Sequence, residues 1–289
     1  MICILVAGGS SRRMVEDKLL IPLGGVPMAC RVVEVLREAG CSEVVSVGRR
    51  LPCTDTWIPD DKRLPCGGPA RGLATAAELV SGWEEVFIAP GDAGLLEPGV
   101  PRRLRELARI LGAETASPYW EEGFIDSLIA YTRGSALSRI REACSVKEEW
   151  GCRTRATDLH RASSPLLLAG AGVVAGDPVR LARLNTPVEA ADPRPPGTPP
   201  EDVRLLEGHA GYYLEAIRLL GEGSPLGAAE MLAAEARLYA AAGQPLLELH
   251  SLIDVDRLGA GGGAASRAAR IAGLSLLLGR RPRAVERPV

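Results

Sequence analysis

A chain of 289 residues is long enough for one or two domains with a sizeable core. Its formal net charge of −2 supplies no basic field to recruit nucleic acid, and no apolar run approaches the ~18 residues of a membrane span. The first residues, Met1-Ile2-Cys3-Ile4-Leu5-Val6, show neither a charged leader nor a cleavage site, so a soluble, cytoplasmic protein is expected.

The element order predicts an α/β fold. Ile2 to Ala7 is an apolar run that breaks at two glycines, the pattern of a buried strand. Pro27 to Ala39 carries Val32, Val33, Val35 and Leu36 at helical spacing and stops at Gly40. Glu43 to Val47 reads as a second strand and Trp57-Ile58 as a short one. Pro69 to Val80 is helical, and Glu85 to Ala89 is a third buried strand that ends at Pro90-Gly91-Asp92. Pro101 to Leu111 is helical, Ala113 to Ser117 extended, Ile125 to Thr132 an interior strand and Ser135 to Ala143 a helix. Pro165 to Ala175 gives further strands, and Asp177 to Leu184 a short helix. Strands alternating with helices at this pace imply a Rossmann-like, mostly parallel sheet with helices on both faces.

Asp192 to Pro200 is a proline-rich stretch, stiff and extended rather than packed. Beyond it Glu201 to Gly221, Leu226 to Ala242, Pro245 to Leu258 and Ala264 to Gly279 all look helical, suited to a small bundle. The expected division is a catalytic domain over 1–191, a linker over 192–200 and a helical domain of unknown role over 201–289.

Metal-cluster chemistry is not indicated. The seven cysteines (Cys3, Cys30, Cys41, Cys53, Cys66, Cys144, Cys152) form no Cys-x-x-Cys, and the three histidines form no His-Glu-x-x-His. The cysteines read as isolated core and surface thiols. The arginine bias and the single asparagine fit a GC-rich genome or a hot habitat, where an intracellular disulfide becomes possible.

The candidate site starts where the first strand ends. Ala7, Gly8, Gly9, Ser10 and Ser11 form a turn whose backbone N–H groups can face an anion, and Arg13 and Lys18 add positive charge. The stretch has neither the Gly-x-Gly-x-x-Gly spacing nor a closing Gly-Lys-Ser/Thr. Lysine occurs only at Lys18, Lys62 and Lys147, so a lysine at the end of this loop is notable. Ligands in open α/β sheets bind beyond the carboxyl ends of the strands, which brings Asp92 into the same crevice. Gly68-Pro69-Ala70-Arg71-Gly72 before a helix, and Leu184-Asn185-Thr186-Pro187, complete the set.

In this order the stretches resemble the molybdenum cofactor guanylyltransferase group of nucleotidyltransferases over roughly Met1 to Ala191. The first family motif is met at Ala7, Gly8, Gly9, Ser11, Arg13, Met14, Asp17 and Lys18, the second at Gly68, Pro69 and Gly72. Asp92 stands where the family has its metal-binding aspartate, and Asn185-Thr186-Pro187 matches the last motif. The resemblance implies a nucleotide-diphospho-sugar transferase type of fold and Mg²⁺ held by Asp92 and Asn185. It also implies a catalytic set of Arg13, Lys18 and Asp92, and transfer of GMP from GTP to molybdopterin with loss of pyrophosphate. Nucleotidyl transfer joins two anions, so catalysis is chiefly charge neutralisation and alignment.

Three positions depart from the family pattern. Val15 replaces a glycine, Gly94 a proline, and Arg183 the first asparagine of the last motif, adding a cation beside the metal site. The acceptor stays open: cytidylyl transfer to molybdopterin, or guanylyl transfer to a corrinoid phosphate, would use nearly the same loop. Tyr119, Trp120 and Phe124 are candidates to flank a flat acceptor, with core or surface packing as the competing reading. A catalytically weak nucleotide-binding scaffold is the alternative from another class, and the C-terminal helices are a candidate surface for a protein partner.

Overall fold

The computed structural model describes residues 1–8, 18–184, 189, 191–259 and 264–278. Its first strand, β1 (Ile2–Val6), is buried along its whole length. Ile2, Ile4 and Val6 point into one hydrophobic layer, and Cys3, Leu5 and Ala7 into the other. This period of two is what a strand covered on both faces requires.

A small ribbon, β2 (Pro22–Leu23) and β3 (Val26–Pro27), precedes α1 (Met28–Glu38). The main sheet continues with β4 (Glu43–Val47), β5 (Thr56–Ile58), β6 (Val86–Pro90), β7 (Thr115–Tyr119), β8 (Ala130–Thr132), β9 (Leu166–Gly170) and β10 (Val203–Leu206). Its order is β10-β9-β7-β8-β6-β1-β4-β5. The β1 pairings with β4 and β6 are parallel, as are β4 with β5 and β7 with β9; β8 runs antiparallel between β6 and β7. The sheet is therefore mixed but mostly parallel. The chain leaves β1 toward β4 and β5, then returns to β6 on the other side. This is a topological switch point, where the carboxyl ends of adjacent strands open a crevice.

Helices cover both faces. The α1 helix, α3 (Gly99–Leu111) and α6 (Ala171–Val174) pack on the Cys3/Leu5 side. On the Ile2/Ile4 side lie α2 (Gly68–Val80), α4 (Gly134–Glu149) and α5 (Asp158–Arg161). Over α4 and α5 lie α7 (His209–Gly221), α8 (Pro225–Ala241) and α9 (Pro245–Arg257), followed by α10 (Ala264–Leu277). No described helix is long and apolar enough to cross a membrane.

Ion pairs with almost no solvent exposure tie these outer helices to the sheet layer. Lys147 of α4 bridges Asp158 of α5 at 2.9 Å and Asp254 of α9 at 2.7 Å. Arg161 of α5 reaches Asp158 at 2.9 Å, Asp254 at 2.8 Å and Glu235 of α8 at 2.6 Å. Arg155 adds a contact to Asp254 at 3.1 Å, and the Tyr213 ring lies 4.5 Å from the Arg161 guanidinium carbon. Three cations and three anions thus neutralise each other where a lone charge would be prohibitively costly.

Four expectations are corrected. Ile125 to Thr132 is regular strand only over Ala130–Thr132, because a turn closed by the Ile129 N–H on the Asp126 carbonyl at 3.2 Å interrupts the ladder after the isolated Ile125 bridge to Tyr119. Glu201 to Gly221 is not one helix: β10 pairs antiparallel with β9, Gly208 turns the chain at φ +77°, and α7 starts at His209. Without β10, the ladder groups of β9 on that side would form an open edge. The far end of the proline stretch is pinned, since Thr198 donates to Glu122 through its N–H at 3.0 Å and its hydroxyl at 2.9 Å. Six of the cysteines are paired, as Cys3–Cys41, Cys30–Cys53 and Cys66–Cys144, with Cα separations of 5.8, 5.5 and 5.3 Å. Cys152 alone is a free thiol, and burial pushes it up to about 12.

Candidate active site

The crevice assembles at the carboxyl ends of the parallel strands. Register places Val6 of β1 opposite Val47 of β4 and Pro90 of β6, so the residues just beyond them emerge on one edge. The Ala7 N–H donates to the Val47 carbonyl at 3.0 Å, and the Gly91 N–H to the Val6 carbonyl at 3.1 Å. These bonds hold the loops after β1 and β6 side by side. Lys18 opens a short 3₁₀ turn over Lys18–Leu20, and a Cβ on Gly91 would meet a Leu19 methyl at 2.9 Å. Close backbone approach there brings Lys18 to Asp92.

Lys18 Nζ lies 2.5 Å from Asp92 Oδ2, and both groups are partly exposed to the crevice. The other Asp92 oxygen faces Arg183 Nη1 at 3.4 Å. Arg183 in turn pairs with Asp126, a nearly buried carboxylate on the β7–β8 connection. The Leu184 N–H closes the arrangement by donating to the Asp92 carbonyl at 3.1 Å. Burial pushes the Arg183 guanidinium down, but Asp126 and Asp92 together hold it above its ordinary value, so it is a permanent cation between two carboxylates.

The second corner of the crevice is built from glycines. Gly48 follows β4 with φ +94°, and a Cβ there would lie 2.8 Å from the Gly8 Cα. Only glycine permits both that conformation and that approach. Gly8, Gly48 and Gly72 all border the Asp60 carboxylate, since Cβ atoms on them would come within 3.2, 3.3 and 3.8 Å of it. Asp60 Oδ1 is shielded from solvent and has no hydrogen-bond partner among the described residues. Buried acceptors are nearly always satisfied, so an orphaned one in a cleft is a sign of a missing donor.

Of the residues singled out in the sequence, the structure brings together Ala7, Gly8 and Gly72 on one side and Lys18 and Asp92 on the other. Gly68 and Pro69 sit exposed at the start of α2, where Gly68 adopts φ +59°. Arg71 does not enter the crevice: its Nε donates to the Cys66 carbonyl at 2.7 Å and steadies the lead into α2. Gly9, Ser10, Ser11, Arg13 and Asn185 lie outside the described residues, as does Val15. Tyr119 and Trp120 are core residues, whereas Phe124 is exposed.

Asp60 and Asp126 were missed. Asp60 comes two residues after β5, the same strand-end signal that marks Asp92, but the Asp60-Asp61 pair resembles a solvated loop. Asp126 has no local signal, since its significance depends on Arg183, 57 positions away.

Among the described residues no three His, Cys, Asp or Glu side chains cluster. Asp92 and Asp126, spanned by one guanidinium, nevertheless offer the one or two carboxylates that Mg²⁺ takes when substrate phosphates complete its shell. The residues fit a sparsely held ion.

Residues 3–161 match the family described as MobA-like NTP transferase domain. The chain is 32% identical over 156 residues to the bifunctional protein GlmU of Leifsonia xyli subsp. xyli, covering 49% of this chain and 32% of that one. It is 32% identical over 101 residues to the molybdenum cofactor guanylyltransferase of Xanthomonas euvesicatoria pv. vesicatoria, covering 35% of this chain and 51% of that one. The chain thus spans about a third to a half of the length of these curated relatives. The molybdopterin-guanine dinucleotide biosynthesis protein A from Archaeoglobus fulgidus superposes with a TM-score of 0.51 at 17% identity, over 66% of this chain and 95% of that one, a likeness of fold.

Proposed function

We infer an activity from a membership: the chain belongs to the MobA-like NTP transferase family, and its crevice is suited to nucleotidyl transfer. The reading is Mg²⁺-dependent transfer of GMP from GTP to a phosphorylated cofactor precursor, molybdopterin, with release of pyrophosphate. The observation that carries it is the convergence of Lys18 and Asp92, 2.5 Å apart at the switch point between β1 and β6. A cation and a metal-ligating carboxylate side by side suit a reaction in which two anions must meet and a third leave.

The divalent ion, when bound at Asp92, supplies neutralisation of the reacting phosphates. Lys18 turns from Asp92 to the phosphates and stabilises the charge that gathers on the leaving pyrophosphate. The acceptor phosphate is already ionised, so no side chain has to remove a proton from it. Asp60 supports the choice of guanine. A carboxylate accepts from the N1–H and 2-amino donors of guanine, whereas adenine presents an acceptor at N1 and cytosine one at N3. The names of relatives such as the Xanthomonas euvesicatoria molybdenum cofactor guanylyltransferase support molybdopterin as acceptor.

The test is pyrophosphate release from GTP, Mg²⁺ and molybdopterin by the full chain, with Lys18→Ala and Asp92→Asn as controls. Release that needs both substrates and falls at least about a hundredfold in each variant fits the reading. Release with CTP instead of GTP keeps the chemistry and removes the guanine assignment. No release with any nucleotide, in a protein that still binds GTP, favours a scaffold.

A further inference from the structure

We propose that Thr75 and Arg141 are positioning residues for base recognition: they aim the Asp60 carboxylate, and without them GTP loses most of its advantage over inosine triphosphate (ITP). The proposal rests on the guanine reading of Asp60 above and deepens it. Asp60 Oδ1 has no hydrogen-bond partner among the described residues, so no neighbouring donor fixes its direction. Its aim is inherited from the backbone that carries it. Hydrogen bonds weaken steeply away from linearity, so a carboxylate reads two donors of one base edge only when that backbone is held.

Asp60 leads into a turn that closes where the Leu64 N–H donates to the Asp61 carbonyl at 3.2 Å, with Lys62 and Arg63 exposed at its tip. Such a turn needs fastening to the body of the protein. The first fastening is the Asp61 N–H, which donates to the Thr75 hydroxyl at 3.0 Å. That N–H belongs to the peptide unit joining Asp60 to Asp61, so the bond sets the plane from which the Asp60 side chain departs. Thr75 is buried in α2, one helical turn after Gly72, which borders the same carboxylate. One turn of α2 therefore leaves room for Asp60 and grips its backbone.

The second fastening comes from α4. Arg141 Nη1 donates to the Ala74 carbonyl of α2 at 3.1 Å, while Nη2 lies 3.4 Å from Asp61 Oδ2 and 2.6 Å from Glu78. One planar guanidinium thus spans the helix and the turn, a geometry that lysine's point charge does not offer. Arg63, and to a smaller extent Arg141, hold the Asp61 carboxyl well below the ordinary carboxylate range, so the clasp stays charged. Arg63 belongs to the turn itself and ties it to nothing else; Arg141 ties it to α4. Three residues further along that helix, Cys144 is bonded to Cys66, at the far end of the same segment. The stretch from Asp60 to Cys66 is therefore held at both ends from α4.

The test compares GTP with ITP, which lacks the 2-amino group, by titration calorimetry with Mg²⁺ on the full chain. Wild type is expected to prefer GTP at least about tenfold. Thr75→Val keeps the volume and removes the acceptor for the Asp61 N–H, and Arg141→Gln removes the clasp. Each is expected to cut the preference to about twofold by weakening GTP more than ITP. Thr75→Ser keeps the hydroxyl and is expected to keep the preference. A purely structural role would lower the melting temperature and weaken both nucleotides alike, leaving their ratio as in wild type. Arg141→Gln, at a partly exposed position, carries the test if Thr75→Val does not fold. A wild-type ratio in the folded variants, or a Thr75→Ser that behaves like Thr75→Val, would overturn the proposal while Asp60 keeps its role. Equal binding of GTP and ITP by wild type would instead remove the Asp60 reading, and the proposal with it.

Discussion

Lys147→Met is expected to destabilise the fold by about 3–5 kcal/mol, the cost of removing one partner from a buried ion pair. The size follows from what remains. Asp158 keeps Arg161 at 2.9 Å and the Arg155 N–H at 3.0 Å, and Asp254 keeps Arg155 at 3.1 Å and Arg161 at 2.8 Å. Neither carboxylate is stranded, but the cluster changes from neutral to one net negative charge with almost no water to solvate it. The effect therefore belongs at the lower end of the range, a fall of about 5 °C in melting temperature for a chain of this size. The pH dependence carries a second sign. In the wild type, burial pushes the Asp158 carboxyl up, but Lys147 and Arg161 hold it below 3.8. Its stabilisation is complete above that pH and is lost as pH falls through the depressed value. In the variant a carboxyl titrates above 3.8, so protonation relieves the excess charge and the gap to wild type narrows from pH 8 to pH 5. Calorimetric melts of both proteins at the two pH values measure this. A variant within about 1 kcal/mol of wild type, or a gap independent of pH, would refute the reasoning.

If Asp60 reads the guanine 2-amino group, GTP should bind at least about tenfold tighter than ITP. Asp60→Ala should erase the difference, and equal affinities on wild type by titration calorimetry would remove Asp60 from base recognition. Burial holds the His160 imidazole down at about 4, while in the unfolded chain it takes up its proton near 6.5. The unfolded state thus binds more protons between those values, and stability falls by up to about 3 kcal/mol as pH drops through them. His160→Gln should flatten that limb of the melting profile, and an unchanged profile would assign the loss elsewhere. Removing Cys66–Cys144, which joins residues 78 apart, should cost about 4 kcal/mol, and Cys30–Cys53, 23 apart, about 3 kcal/mol. Melts of the paired serine variants test this, and a loss of stability in neither would mean that the bridges do not constrain the unfolded chain.

What the sequence revealed was local. Ile2 to Ala7 reads as a two-faced strand from its own residues, and the strand-end rule finds Lys18 and Asp92 because each follows a strand or its loop directly. Asp60 escaped because nothing nearby says that Gly8 and Gly48 will close on it; that takes the pairing of β1 with β4. Arg183 reads as the loss of a neutral ligand until Asp126 is seen to hold it. Val203-Arg204-Leu205-Leu206 alternates weakly and becomes a strand only because β9 presents an unpaired edge. The cysteine pairs join residues 38, 23 and 78 apart, with no motif to announce them. Asp158 to Arg161 looks like a solvated turn, and its burial depends on helices made much later.

That lateness sets a schedule for synthesis. Lys147 is made 107 residues before Asp254, and Arg161 74 residues before Glu235. At roughly 5–20 residues per second they wait roughly 4 to 20 seconds for their partners. Until then Lys147 and Arg161 share the single carboxylate of Asp158, and the excess positive charge keeps water at the outer side of α4 and α5, because burying it uncompensated is costly. Ribosome-bound chains halted before Asp254 should stay open to protease along α4, and chains carried well past Arg257 should resist it. The charges that lock the finished protein also keep the growing chain from closing early.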